Sequence, residues 1–537
     1  MSQAEVDVAV IGLGPVGAVL AALLGQQGMT VLAIDKQDHV YPLPRAIGLD
    51  HEVMRVLQGL GLAERIAPYV MPYRPTEYHG LGGEIIARYD SVPPPHAQGW
   101  APGYVFNQPK LEQIIRETLA ELPGVTVRLA TELLALTQHD DHVGLSVAAP
   151  HGKIETHRAR YVVGCDGGPS FVRKILGGTL QSLDFDEPWL VVDVLANEEA
   201  LGRLPQTMVQ YCNPARPMTY VVGTGNHRRW EIMLLPGERP EQMNQTEVIW
   251  RLLERWLKPG DGELWRSATY VFHALVAHEW RKGRVLLAGD AAHMTPPFLA
   301  QGMCQGVRDA ANLAWKLASV IRQGGSDVLL DTYQEERRPH VMTTTSTAKI
   351  LGRVICELDP KKALERDRSM RAPPGQQLPV KYRQEFLPPL LAGALMREQG
   401  LPVGTLIPQP KVLVPGGVTL LDDLVGSQMR LVVRADVDDI PAALCGLMDR
   451  LNASVLKLTR SGVSHPVSKR EFVIVEGDGL LENWFVRHQL LAVFVRPDNY
   501  VFGVARSSSE FLNLGENIER VLLRDEQANL RNFATRQ

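Results

Sequence analysis

The sequence predicts an α/β fold: a βαβ-based domain, interrupted by an antiparallel sheet and followed by a smaller, separate α/β unit. Three observations predict it. Gly12-Leu13-Gly14-Pro15-Val16-Gly17 stands between an apolar run and a helical pattern. Two further strand-to-turn segments, ending in Asp166-Gly167 and Gly289-Asp290, lie far along the chain. Between them, from about 180 to 280, the pattern changes to β-branched and aromatic segments separated by turn residues.

The elements follow in order. Val6 to Ile11 is a nearly continuous apolar run, as a parallel strand buried on both faces would be. Residues Val16 to Leu24 favour a helix, and Thr30 to Ile34 read as a second buried strand. Asp50 reads as the N-cap of a helix carrying Val53, Met54 and Leu57 on one face. Another helix follows Asn107, with Pro109 in its first turn and Leu111, Ile114, Ile115 and Leu119 as its apolar stripe. Residues 125 to 164 read as short strands.

Leu190–Leu195, Met208–Tyr211, Thr219–Val222 and Trp230–Leu235 then read as an antiparallel sheet. The chain returns to a buried strand at Arg284–Ala288, and a helix with Ala310, Leu313, Ala314 and Leu317 inward comes next. A last unit, roughly 400 to 525, has strands at Met429–Val433, Val455–Leu458 and Leu491–Val495 and a helix over Ile440–Leu451. The stretch Asp359 to Pro389, rich in Pro, Arg and Lys, reads as its linker. The expected division is 1–180 and 281–395 for the βαβ domain and its helical region, 181–280 for the inserted sheet, and 396–537 for the last unit.

Bulk properties exclude several classes. The 537 residues are too many for one core. Lys plus Arg is 56 and Asp plus Glu is 60, giving a formal net charge of −4. That balance gives no support for nucleic-acid binding or a charged membrane surface. No apolar run is long enough to span a bilayer, and the N-terminus does not read as a signal peptide. Cys165, Cys212, Cys304, Cys356 and Cys445 are scattered, with no CxxC pair, so a reducing cytoplasm is expected. No HExxH or paired Cys/His pattern suggests a bound metal.

The glycine segment carries the first chemistry. Its three glycines fit a tight turn, a close backbone approach to phosphate, and close packing of helix on strand. The helix N-terminus then offers free N–H groups to a pyrophosphate. Asp35 closes the second strand at the spacing of a carboxylate that accepts ribose hydroxyls, with Lys36 beside it. This fingerprint alone allows NAD or FAD. Val163–Arg173 and Arg284–His293, each a strand leading to an Asp/Gly turn and a helix start, separate the two.

With these three motifs in this order, the sequence resembles the flavoprotein aromatic hydroxylases related to p-hydroxybenzoate hydroxylase and phenol hydroxylase. Asp35 is a departure, since a Glu is more usual there. The resemblance implies a Rossmann-like FAD-binding domain, an inserted substrate-binding sheet and a C-terminal thioredoxin-like domain. The last rests on Arg496-Pro497-Asp498-Asn499-Tyr500 and lacks CxxC. Packing and subunit contact, with a homodimer, are its expected uses.

The resemblance also implies roles. Gly12, Gly14, Pro15 and Gly17 hold the pyrophosphate, and Asp290, after Gly289, bonds the ribityl chain. Asp166 and Gly167 lie near the pyrophosphate and the path of the donor. Arg45 stands by the flavin phosphates, and Gln108 near the cofactor. Gly302 and Met303 present N–H groups to the flavin pyrimidine. NADH or NADPH reduces FAD and, with no second fingerprint, visits without a domain of its own. Dioxygen and a small aromatic substrate complete the reaction.

Arg45–Glu52, Arg228–Glu231, Leu234–Glu238 and Gln301–Cys304 narrow the match to members acting on 3-(3-hydroxyphenyl)propionate and 3-hydroxycinnamate. Another phenol or a polycyclic compound is the alternative within the family. A flavin-binding reductase without oxygenation is the alternative outside it. Tyr211, Tyr220, Arg229 and Trp230 are the candidate substrate residues, with Tyr78 and His79 on a segment that could reach the pocket. For His293 a packed histidine is expected rather than an acid or base. His139-Asp140-Asp141-His142 should be a polar hairpin turn, Cys304 an apolar filler, and Glu335-Glu336-Arg337-Arg338 a solvated helix face.

Overall fold

The structure is a computed structural model that describes residues 5–373, 375–396, 400–437 and 439–523. Val6–Ile11 lies inside a sheet ordered Arg281–Lys282, Val285–Leu287, Ile154–Gly164, Val6–Ile11, Val31–Ile34, Val125–Arg128. It pairs in parallel with both neighbours, and its continuous apolar run is buried as two-sided packing requires. The helix Pro15–Gln26 starts with Pro15 in its first turn. It packs on the long helix Gly302–Arg322, where Gly306 is small enough to let Val16 approach.

A second sheet has nine strands, ordered His293–Met294, Gly262–Ala277, Leu180–Ala196, His227–Met233, Met218–Val222, Met208–Tyr211, Thr76–His79, Ile85–Asp90, Val380–Tyr382. Four of these strands lie outside 181–280. Met208–Tyr211 pairs in parallel with Thr76–His79, and Val380–Tyr382 in parallel with Ile85–Asp90. Such pairings join segments distant in sequence, and no local turn chemistry announces them. The stretch read as a linker is thus partly built into this sheet, and it also holds the helix Pro360–Met370. Side-chain alternation gives the sheet two faces. Leu190, Val192, Tyr220, Trp230 and Ile232 form a core with Ile249 and Leu253 of the helix Thr246–Leu253. Asp193, Arg229 and Met233 point to the opposite face, toward the first domain.

The C-terminal unit has a six-stranded sheet and its own hydrophobic clusters. Its helix Ala442–Arg450 falls within the expected span. It meets the first domain through buried charge. Arg55 gives two hydrogen bonds to Asp422, at 2.6 and 3.0 Å. Arg496 donates to Glu336 at 2.8 Å, and Lys316 lies 2.8 Å from the same carboxylate. The expectation of a solvated face at 335–338 is therefore wrong for Glu336 and Arg337, each 1% exposed. They lie on the same stripe as Tyr333, His340, Val341 and Thr344 of the helix Asp331–Ile355. The charge run concealed a helical period whose partners sit on other elements.

Candidate active site

The glycine loop divides its labour as expected. Gly12 has φ +96°, and a Cβ there would come within 2.5 Å of the Cys165 carbonyl oxygen. A Cβ on Gly17 would collide with the Gly12 carbonyl oxygen. Around Gly14, a Cβ would meet nothing within 4 Å. The first and third glycines thus serve packing, and the second leaves open space at the start of the helix Pro15–Gln26. No side chain caps that helix, so its first N–H groups face the same space. A diphosphate fits this cradle.

Asp35 closes the loop as well as flanking it. Its Oδ2 accepts the Leu13 N–H at 2.8 Å, and its Oδ1 accepts the Gln37 N–H at 2.8 Å. Oδ1 retains acceptor capacity for a ribose hydroxyl. Arg116, which sequence reading missed, donates to the Leu13 carbonyl at 2.7 Å and reaches Asp35 at 3.3 Å. Its main partner is a backbone oxygen, which leaves no mark in a side-chain pattern. Lys36 is exposed at the rim.

Arg45 is held by its backbone and free at its head. Gln108 accepts its N–H at 3.0 Å, and Arg229 donates to its carbonyl at 2.9 Å. The guanidinium stacks over Tyr41 and makes no ion pair among the described residues. Gln108 is buried, and its amide also donates to Glu112 at 2.6 Å. It positions the Arg45 segment. Asp166 is likewise engaged. Its carboxylate accepts from the Ser170 hydroxyl and from the N–H groups of Phe171 and Val172, at 2.6 and 3.0 Å for the latter two. It shapes the turn at Gly167, next to Gly12.

Asp290 contrasts with these. It stands exposed between buried Gly289 and Ala291, and its carboxylate has no hydrogen bond among the described residues. The protein around it raises its pKa, while His293 and Arg45 pull the other way. Behind it, buried Asp309 accepts the Gly289 N–H at 3.0 Å, His293 at 2.6 Å and Arg337 at 2.9 Å. Asp309 and Arg337 are further positioning residues, Arg337 being one that the sequence reading placed on a solvated helix face. His293 is fully buried and stacks on Trp280.

Gly302 and Met303 open the 21-residue helix Gly302–Arg322. Gln301, at its N-cap, does not cap it. The Gln301 amide instead donates to Asp50 at 3.1 Å and accepts from Arg308 at 2.8 Å. The first N–H groups of the helix therefore stay available, backed by its dipole. Cys304 is a buried filler whose thiol pKa burial raises well above the usual value.

The four candidate substrate residues sit elsewhere. Tyr220 and Trp230 are in the core on the far face of the sheet, with ring centres 5.1 Å apart. Tyr211 packs on Trp256 beside them. Arg229 faces the first domain but is committed to Asp193 at 2.7 Å and to the Pro44 and Arg45 carbonyls. Burial opposes charge on Asp193, yet Arg229 and His227 hold its carboxyl at about 2. Alternation told which residues share a face, but not which face looks at the cleft. Tyr78 is buried against Tyr89. His79 contacts Glu77 and the edge of Tyr211. His139 and His142 close a hairpin turn, His139 N–H to the His142 carbonyl at 2.8 Å.

A cavity lies instead beside the loop Leu299–Gln301. Leu49, Asp50, His51 and Tyr73 line it, together with Arg383, Gln384, Phe386 and Leu387. Gly48 and Gly103 lack the Cβ that would strike Tyr73, so its ring fits between them. Burial lowers the His51 pKa to about 4 against the pull of Asp50, so its imidazole is neutral at pH 7. Among the described residues no cluster of His, Cys, Asp and Glu is arranged to hold a metal. No helix of these residues is long and apolar enough to cross a membrane.

The βαβ sheet, the phosphate cradle and the unpaired Asp290 define a dinucleotide-binding domain of the flavoprotein type. A family model described as FAD binding domain matches residues 5–348, and one described as HcaD C-terminal domain matches 404–514. The probable NADH-specific resorcinol 4-hydroxylase of Rhodococcus jostii (strain RHA1) is 37% identical over 524 residues, 96% of this chain and 94% of that one. The 3-(3-hydroxy-phenyl)propionate/3-hydroxycinnamic acid hydroxylase of Escherichia coli (strain K12 / DH10B) is 35% identical over 522 residues, 93% of this chain and 92% of that one. A ternary complex of aklavinone-11 hydroxylase with FAD and aklavinone has a TM-score of 0.78 at 24% identity, over 98% of this chain and 100% of that one. The last likeness concerns the fold. The chain belongs to the flavoprotein aromatic hydroxylases of the p-hydroxybenzoate/phenol hydroxylase-like family. It is an aromatic-ring monooxygenase that uses FAD with NADH or NADPH.

Proposed function

We propose that the enzyme hydroxylates a phenol bearing a carboxylated side chain, 3-(3-hydroxyphenyl)propionate or 3-hydroxycinnamate, to the corresponding catechol. The observation that carries this is the cavity at Leu299–Gln301. It places apolar walls and a few polar groups beside the N-terminus of the helix Gly302–Arg322. The relatives 35% identical over nearly the whole chain bear that substrate in their names.

Bound FAD supplies the electron transfer and oxygen activation. The chain's own residues do the rest. The glycine loop and Arg45 would take the phosphates, and Asp290 would accept ribityl hydroxyls. The N–H groups of Gly302 and Met303 would face the flavin ring and offset negative charge on it. The Tyr73 hydroxyl has no hydrogen-bond partner among the described residues, and burial raises its pKa. It therefore stays protonated and donates to the phenolic oxygen, orienting the ring and favouring its anion. Asp166 and Gln108 act by positioning.

A second reading, a neutral dihydroxybenzene as substrate, draws on the resorcinol hydroxylase relative. Product analysis after turnover in labelled dioxygen separates the two. Labelled catechol from the phenylpropanoid acid supports the first reading. Peroxide matching NAD(P)H consumption with no catechol from any acid sinks it, and label in a resorcinol product alone favours the second. A yellow protein whose panel yields no labelled product at all would be a reductase.

The C-terminal unit fits a thioredoxin-like reading. Arg430–Val433 lies between Ser454–Thr459, parallel to it, and Ala492–Val495, antiparallel, and Val501–Ala505 follows as an antiparallel edge. With Cys445 its one cysteine, dithiol chemistry is absent, and support of the first domain is its role.

A further inference from the structure

Besides the Tyr73 phenol, three ionisable groups of opposite kinds line the cavity at Leu299–Gln301: Asp50, His51 and Arg383. Asp50 is fully engaged, accepting from Arg308, Gln301 and the Val53 N–H. His51 is neutral at pH 7. Arg383 is different. Its guanidinium donates to the Thr76 hydroxyl at 2.8 Å and lies 5.2 Å from the centre of the Tyr73 ring. No carboxylate among the described residues pairs with it. The cavity therefore has one uncompensated positive charge.

The neighbour of Arg383 adds a second, independent observation. The Gln384 side chain makes no hydrogen bond among the described residues, and its Oε1 is buried without a partner. Both residues are delivered by the strand Val380–Tyr382, which the sheet edge at Arg88–Asp90 holds in register. Tyr73 spans the distance between this pair and the flavin side. Its hydroxyl end abuts Gly48 and Ala300, and its ring carries the Arg383 guanidinium.

Resting on the phenolic-acid reading above, we infer that Arg383 and Gln384 form the subsite for the carboxylate of the substrate. The phenol lies along Tyr73 with its hydroxyl end toward Ala300 and its acid end at Arg383. A guanidinium suits a carboxylate by its planar fork of donors. The Gln384 amide supplies a further N–H after a half-turn about its last bond, since its two ends are nearly isosteric. Selectivity for acids over neutral phenols is then set by a segment outside both the glycine loop and the antiparallel strands of 181–280.

The test compares the holoenzyme with Arg383→Gln, Arg383→Lys and Gln384→Leu. The substrates are 3-(3-hydroxyphenyl)propionate and 3-propylphenol, which replaces the carboxylate by a methyl group. The readout is kcat/KM for catechol formation, with flavin content and absorption spectrum as the check on folding. Loss of a charged hydrogen-bond pair is expected to lower the acid-to-neutral selectivity ratio by roughly 10- to 100-fold in R383Q, mainly through KM for the acid. R383K recovers part of it, and Q384L gives a smaller loss. An unchanged ratio in flavin-replete R383Q and R383K overturns the subsite. So does an equal loss on both substrates, which would assign Arg383 to the phenolic end. If the unmodified enzyme hydroxylates only neutral phenols, the phenolic-acid reading falls first and the subsite with it.

Discussion

Replacing Arg496 by Met tests what the C-terminal unit does for the flavin domain. Arg496 is fully buried and donates to Glu336 at 2.8 Å, to Asp498 at 3.0 Å and to the Ala394 carbonyl at 3.1 Å. Glu336 would keep Lys316, Asn312 and the Ala394 N–H. Asp498 would keep only the Asn312 amide and the Trp315 indole N–H. Methionine fills much of the volume, so the loss is electrostatic. Removing one partner of a buried ion pair costs about 3–5 kcal/mol, because the remaining carboxylates stay buried with too little positive charge. The Arg496 guanidinium lies 5.2 Å from the ring of Trp315, one of nine tryptophans whose summed emission follows unfolding. Urea titration followed by tryptophan and by flavin fluorescence is the assay. The expected result is a midpoint lowered by the equivalent of that energy, with flavin released in the same transition. A loss below about 1 kcal/mol, the worth of an exposed pair, would refute the claim that this network joins the two units. Flavin release independent of the tryptophan transition would refute its coupling to the flavin site.

Three more predictions follow from the site. Asp290→Asn keeps the shape but weakens the acceptors proposed for the ribityl chain, and FAD titration of the apoprotein should show affinity lower by about 1.5–3 kcal/mol, or roughly 10- to 100-fold. Tyr73→Phe should lower coupling, with more peroxide and less catechol per NAD(P)H consumed, while flavin content stays normal. Acid stability should depend on Glu336, which burial opposes but Arg496 and Lys316 hold at about 2, against 4.5 ordinarily. A carboxyl depressed on folding stabilises above its unfolded pKa and loses that effect as pH falls from 4.5 toward 2. This is on the order of 3 kcal/mol, and Glu336→Gln should flatten that part of the stability curve.

The sequence by itself determined the glycine turn and the two strand-to-turn segments where the cofactor is expected. Gly12, Gly14 and Gly17 act within one turn, and the Asp166-Gly167 and Gly289-Asp290 turns each follow a buried strand. Their chemistry is local, so spacing along the chain is also geometry in space. Side-chain commitment was less legible. Asp166 and Gln108 occur where cofactor ligands were expected, yet the Asp166 carboxylate accepts from Ser170 and two backbone N–H groups, and the Gln108 amide is shared between the Arg45 segment and Glu112. Charge along the chain misled at Glu336 and Arg337, because their partners Arg496 and Asp309 lie on other elements.

Only the tertiary structure decided where the cavity lies and which residues line it. Which face of the inserted sheet meets the flavin domain depends on pairing between Met208–Tyr211 and Thr76–His79, a contact between segments far apart in sequence. That pairing turns Tyr220 and Trp230 away and leaves Arg229 to clamp the Arg45 segment. The cavity draws Leu49, Tyr73, Leu299 and Arg383 from four separate stretches of chain. The phosphate loop is specified by its own backbone conformation and can be read in a line. A substrate cavity is specified by packing between distant segments, and it exists only once they are folded together.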